Sequence, residues 1–148
     1  MKGKRAISAL LVALGMILIC AGCVPGLPGA KEEAKISTKT PEDTIRSLFR
    51  AAEREDMKAI ESLYHPEAFM KDVVKATYTA RFATYDTKYR NIKIKVEERT
   101  DERALVLASY EVERSSFGMV VRPWEREQMR FELRREDGRW LITNGILP

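Results

Sequence analysis

The spacing of apolar residues changes once along this chain, and that change restricts the fold more than any other feature. As far as Tyr85 the apolar positions recur at three- and four-residue steps; from Tyr89 they alternate with polar ones. The first period belongs to helices that bury one face, the second to strands of a half-covered sheet. Ile45, Leu48, Phe49 and Ala52 make the first helical stripe. Ahead of it stand Thr40 as N-cap, Pro41 at the first helical position, and Glu42 and Asp43 at the positive end of the helix dipole. Asp56 caps a second, short helix with Met57, Ile60, Leu63 and Tyr64 as its buried side, and Pro66 ends or redirects it. A third helix is expected over about 71–85, with Val74, Tyr78, Phe82 and Tyr85 as its stripe and Val73, Ala80 and Arg81 at the flanks.

In the second half, Ile92, Ile94 and Val96 face one way and Lys93, Lys95 and Glu97 the other. Thr100, Asp101 and Glu102 supply a turn. Residues 104–114 are apolar on both faces over Leu105 to Ala108, as a central strand or one covered on its second face would be. Residues 115–118 form a connection. A long strand or bent pair follows over 119–135, where Pro123 marks a bulge or edge break. Asp137-Gly138 is a strong hairpin turn, and Trp140 and Ile142 belong to the last strand. Helices followed by antiparallel strands define an α+β domain: three N-terminal helices packed on a curved antiparallel sheet.

The N-terminus carries a different kind of information. Lys2, Lys4 and Arg5 precede an apolar run over 6–19, which ends in Cys20-Ala21-Gly22-Cys23. This is the pattern of a secretory signal, and the run is too short to span a bilayer comfortably. With a cysteine directly after Ala-Gly, the segment resembles the lipobox of a bacterial-type lipoprotein precursor, Cys20 standing where leucine is usual. The resemblance implies a diacylglyceryl group on the Cys23 thiol, cleavage between Gly22 and Cys23, and an extracytoplasmic chain anchored to the cell membrane, or to the outer membrane of a diderm. Each buried methylene contributes about 0.8 kcal/mol; one acyl chain holds marginally, two or three stably. Residues 24–39 hold Pro-Gly pairs and lack periodicity, so they read as a flexible stalk. The organisation expected is a signal over 1–22, a lipidated cysteine and stalk over 23–40, and one α+β domain over 41–148.

Lys2, Lys4 and Arg5 leave with the signal, so the net charge of +4 falls to +1. That balance argues against nucleic acid as a partner. Both cysteines lie at the signal end, so no disulfide can close within the domain, and a single histidine without a cysteine pair argues against zinc. No metal or other cofactor is expected, since neither a phosphate-binding glycine loop nor a nucleophile triad is present.

The opening 40–52 segment, the Glu55-Asp56 step into Met57-Lys58-Ala59-Ile60, Leu63-Tyr64, and Phe131-Glu132-Leu133 before Asp137-Gly138-Arg139-Trp140-Leu141-Ile142 together carry a second resemblance. Residues 41–146 resemble the nuclear transport factor 2-like superfamily, the cone-shaped fold shared with ketosteroid isomerase, scytalone dehydratase and polyketide cyclases. The resemblance implies a cavity between helices and concave sheet that takes a small apolar molecule. Asp72 falls near the place where isomerase-like enzymes carry their general base, and a carboxylate in an apolar cavity has its pKa raised toward a useful range. The tyrosine such enzymes carry on the first helix falls at Leu48 or Phe49, so the oxyanion donor is missing.

Against that stand plainer readings. Asp72 beside Lys71 is an ordinary pair at a helix start, and His65, the sole imidazole, sits at a helix exit where it meets the negative end of the dipole. Asp72 and His65 are the weak catalytic candidates. Tyr64, Tyr78, Phe82, Tyr110 and Trp140 are the candidate pocket, with core filling as the alternative. Arg126 and Arg130 share a sheet face with Leu105 and Leu107, either as a solvated surface paired to Glu111 and Glu113 or as a homodimer or partner interface. The expected function is a tethered module that binds a small molecule or an envelope protein. The alternative is an isomerase- or dehydratase-type enzyme.

Overall fold

Thr40 starts the first helix as its residue type requires: its Oγ1 accepts from the Asp43 N–H at 3.1 Å. The computed structural model describes residues 35–68 and 70–148. The signal segment, Gly22, Cys23 and the stalk as far as residue 34 lie outside the described residues. Helix α1 spans Pro41–Glu53, α2 Met57–Leu63 and α3 Lys71–Phe82. Asp56 caps α2, its Oδ1 accepting from the Ala59 N–H at 2.9 Å. Four strands follow, β1 Asp86–Arg99, β2 Arg103–Ser116, β3 Met119–Glu136 and β4 Arg139–Asn144. They pair antiparallel in chain order, and β2 is central, as its apolar centre implies.

Alternation decides which residues face the helices. Ala104, Val106, Ala108, Tyr110, Val112 and Arg114 of β2 are all buried, while Leu105, Leu107, Ser109, Glu111 and Glu113 between them are half-buried on the other face. Val106 pairs Val96 and Phe131, placing three apolar side chains in one row. Ile45, Leu48 and Phe49 of α1, Ile60 and Leu63 of α2, and Val74 and Tyr78 of α3 close on that face. Two hairpins turn on a residue pair with positive φ: Asp137 and Gly138 at 48° and 75°, Phe117 and Gly118 at 52° and 75°. The Asp-Gly turn is as expected; the Phe-Gly turn is an equally tight one in a segment read only as a connection.

Three boundaries differ from expectation. Helix α3 stops at Phe82, leaving Tyr85 outside it, and its buried positions are Val74, Tyr78 and Arg81. Strand β1 begins at Asp86 because Thr87 and Tyr89 already face the core, and the Tyr89 N–H donates to Oε1 of Glu53 at 2.8 Å. Residues 36–38, placed at the end of the stalk, pack on the domain. Ile36 lies against the core, the Ser37 N–H donates to Oγ of Ser47 at 2.9 Å, and the Thr38 carbonyl accepts from the Trp140 N–H at 2.9 Å.

Candidate ligand site

The stripe of α3 places Tyr78 and Arg81 one turn apart on its buried face. Alternation on the strands brings Thr87 and Tyr89 of β1, Tyr110 and Arg114 of β2, and Glu127 of β3 to the same side. After β4 the chain turns at Gly145 and runs into this group. Tyr64 at the end of α2 donates its hydroxyl proton to the Gly145 carbonyl at 2.9 Å, and the Leu147 N–H donates to the Tyr78 hydroxyl at 3.3 Å. Nη1 of Arg81 donates to the Leu147 carbonyl at 2.6 Å and to the main-chain oxygen of Pro148, while its Nη2 donates to the Tyr89 hydroxyl. Nη2 of Arg114 reaches Oε1 of Glu127 and the same Pro148 oxygen, both at 3.1 Å. The Tyr110 hydroxyl donates to Oε2 of Glu127 at 3.3 Å.

Both arginines are deep, 8% and 7% exposed. Among the described residues two buried polar atoms of the group have no partner, Nε of Arg81 and Oγ1 of Thr87. The aromatic rings around them meet edge to face, Phe49 with Tyr89 at 5.0 Å and with Tyr110 at 4.9 Å between centroids. Burial raises the pKa of Tyr64, Tyr78, Tyr89 and Tyr110, and for Tyr110 the charge of Glu127 adds to it. These phenols therefore stay protonated and serve as hydrogen-bond donors and acceptors, not as bases.

The candidates named from sequence separate. Tyr64, Tyr78 and Tyr110 belong to the group, and Phe82 packs on Tyr78 with ring centroids 5.7 Å apart, half-buried at its edge. Trp140 does not join them: it is buried, its carbonyl accepts from Oγ1 of Thr44 on α1 at 2.8 Å, its N–H donates to the Thr38 carbonyl, and the Arg99 guanidinium lies 5.3 Å from its ring. Asp72 is exposed in the first turn of α3. His65 is buried, but its Nδ1 accepts from the Glu67 N–H at 3.1 Å and its Nε2 stands 3.0 Å from Oε2 of Glu136. That last contact is close enough for an ion pair yet poorly aligned for a hydrogen bond. Leu105, Leu107, Arg126 and Arg130 lie on the sheet face opposite α1, α2 and α3. There Arg130 pairs with Glu97 at 2.8 Å, and Arg126 stands 3.7 Å from Glu111. Hollows of about 610 and 530 Å³ open on the sheet, and neither is lined by Arg81 or Arg114.

Sequence reasoning missed Arg81, Arg114, Tyr89, Thr87 and Glu127. A signal existed for two: Arg114 continues the inward alternation of Ala104 to Val112, and Arg81 follows Val74 and Tyr78 at helical spacing. Among the described residues no group of acids, histidines or cysteines could hold a metal ion, and no helix is long and apolar enough to cross a membrane.

No protein-family model matches the chain, and no curated protein sequence matches it significantly. Solved structures do resemble it. A candidate aromatic ring hydroxylase from Novosphingobium aromaticivorans superposes with a TM-score of 0.62 at 15% identity, covering 72% of this chain and 87% of the other. A ketosteroid isomerase-like protein from Erwinia carotovora atroseptica gives 0.58 at 24% identity, covering 71% and 89%. A candidate dehydratase of the nuclear transport factor 2-like family from Streptomyces avermitilis gives 0.51 at 15% identity, covering 70% and 89%. The fold of the described residues is thus nuclear transport factor 2-like, α+β with three helices and a four-stranded antiparallel sheet.

Proposed function

We propose that this chain is a lipoprotein, held at the extracytoplasmic side of a membrane through Cys23, whose domain binds a small molecule between α3 and the sheet. The observation that carries binding is the burial of Arg81 and Arg114 beside four tyrosine hydroxyls. Removing a guanidinium from water costs several kcal/mol unless good partners meet it, so a domain that only needed a core would place apolar side chains there. Binding is favoured over catalysis because the tyrosines are held protonated and Glu127 is already engaged by Arg114 and Tyr110. The isomerase- or dehydratase-type alternative draws on the similar structures alone. Asp72 is exposed and His65 is turned to Glu67 and Glu136, so neither supplies it with an acid or base beside the tyrosines.

Two measurements test this reading. Native mass spectrometry of the full chain, extracted from membranes in mild detergent, should show a copurifying small molecule that Arg81→Gln loses. Cys23→Ser should move the protein out of the membrane fraction and remove the mass of the acyl chains. A wild-type chain of bare polypeptide mass, together with unchanged fractionation of the variant, overturns both halves.

A further inference from the structure

Among the described residues five large apolar side chains are exposed, and four of them stand on one hairpin. Phe117 is 98% exposed at the turn between β2 and β3, and Met119, Val120 and Val121 follow it at 67%, 56% and 48%. Scattered singly, such residues mean little; gathered at one point they mark a contact surface. Met119 and Val120 are successive strand residues, paired to Ser116 and Ser115, so they point to opposite faces, and both faces are bare. The hairpin end therefore reaches beyond the cover of α1, α2 and α3. Residues 115–121 carry no charge, and Arg122 comes next, exposed. Trp124 follows, half-buried, with the Arg90 guanidinium 4.0 Å from its ring. Phe117 also holds φ at 52°, which strains a bulky residue, and no burial within the domain offsets that strain.

We propose that this hairpin end enters a lipid surface, with Phe117, Met119, Val120 and Val121 among the acyl chains and Arg122 and Trp124 at the headgroups. This rests on the membrane-anchored reading above and adds the part of the domain that meets the membrane. Lipid fits the hairpin better than a second protein does. A protein face would cover one side of it, whereas a fluid apolar layer closes round both faces and the turn. Arginine and tryptophan just behind an apolar tip suit the layered interface, since each puts an apolar body inward and a polar end in water. The acids of this end, Asp86 opposite Ser115 and Glu113 opposite Lys88, stand at the base of the uncharged stretch. Entry is shallow, because β4 pairs only with Glu132 to Glu136 and leaves the outer edge of the earlier β3 residues without that partner.

The stalk sets how the domain leans. It joins the domain at Thr38, beside Trp140, and Trp140 pairs with Arg135 at the end of β3 away from the turn. Strand β3 has 18 residues, at most about 60 Å. Residues 24–35 reach at most about 40 Å, so the hairpin inclines toward the membrane instead of standing upright on it. Tethering raises the effective concentration of the tip at the surface to the order of millimolar. Four side chains that would hold a free domain weakly then suffice to orient a tethered one.

The test places the lipidated protein, purified from membranes, in phosphatidylcholine vesicles. Met119→Cys carries a polarity-sensitive fluorophore, and Lys58→Cys, exposed on α2, carries the same one as reference. The label at 119 should shift to the blue and be quenched by brominated acyl chains about threefold or more over the label at 58. Adding Phe117→Asn to the Met119→Cys chain relieves backbone strain and so preserves the fold, and it should halve that quenching. Equal quenching at the two sites, or quenching that Phe117→Asn leaves unchanged, overturns the docking. A blue-shifted label that brominated lipid does not quench sets the tip against protein and overturns lipid as the occupant. Flotation separates this outcome from the anchor. A chain that floats with its label in water loses the docking alone, whereas one that stays out of the vesicle fraction loses the anchor and the docking with it.

Discussion

Gly145 passes so close to Phe131 that a side-chain carbon on it would stand 2.6 Å from Cδ1 of that ring, and 2.7 Å from the Arg130 carbonyl oxygen. Its φ of 108° is one that other residues adopt only with strain. This turn carries the chain from β4 into the interior. Gly145→Ala should therefore lose about 2 kcal/mol or more, read as a lower urea midpoint. An unchanged midpoint would mean that the backbone turns elsewhere.

Phe117 is 98% exposed at the β2–β3 turn with φ at 52°. A bulky residue there bears the cost of the left-handed backbone without burying its ring. Phe117→Asn should stabilise the domain by about 0.5–1 kcal/mol, since asparagine tolerates that conformation. A fall in melting temperature would show that the ring contributes to folding.

Burial raises the pKa of Tyr64, Tyr78, Tyr89 and Tyr110 in the folded chain. A raised folded pKa means that the unfolded state releases its protons first. The stabilisation is complete below about pH 10 and is lost as pH climbs from there toward the folded values. Phenolate absorbance from these four should appear together with loss of near-ultraviolet dichroism. Gradual ionisation with the dichroism intact would contradict their burial.

On the sheet face opposite α1, α2 and α3 the hydrogen bond from Arg130 lowers the pKa of Glu97, and that from Arg90 lowers the pKa of Glu111. A lowered folded pKa adds stability above the ordinary carboxylate value that fades as pH falls through the lowered one. Arg130→Gln should return Glu97 toward its ordinary value while Glu111 keeps its own, measured by carboxyl NMR titration. A Glu97 titration that does not move would show the pair to be open in solution.

Thr40→Ala should cost about 1 kcal/mol, because the Asp43 N–H then loses the acceptor that the side chain supplies. Thermal unfolding reads the loss. Thr40→Ser should restore most of it.

Local rules made much of the fold legible. Thr40-Pro41 and Asp56 started their helices where the residue types favour it, and Asp137-Gly138 turned its hairpin, because each depends on neighbours a few residues away. The site was harder to see for the opposite reason. The apolar stripe leaves Arg81 at the flank of its helix, whereas its acceptors arrive from a segment 66 and 67 residues further on. Tyr64 and Tyr78 were named as pocket residues, yet the chain that meets them follows the last strand, and nothing in its composition announces that course. Trp140 shares only aromaticity with them: its ring lies by the Arg99 guanidinium of β1, and its carbonyl meets Thr44 of α1.

The bond from the Trp140 N–H to the Thr38 carbonyl has a mechanical consequence. A pull arriving along the chain from the N-terminal side reaches Ile36 to Thr38 before it reaches α1, and there the load passes to β4. Strand β4 is zipped to β3 from Glu132 to Glu136, and β3 to the rest of the sheet. Force is thereby spread over the sheet ladder before α1 must unwind.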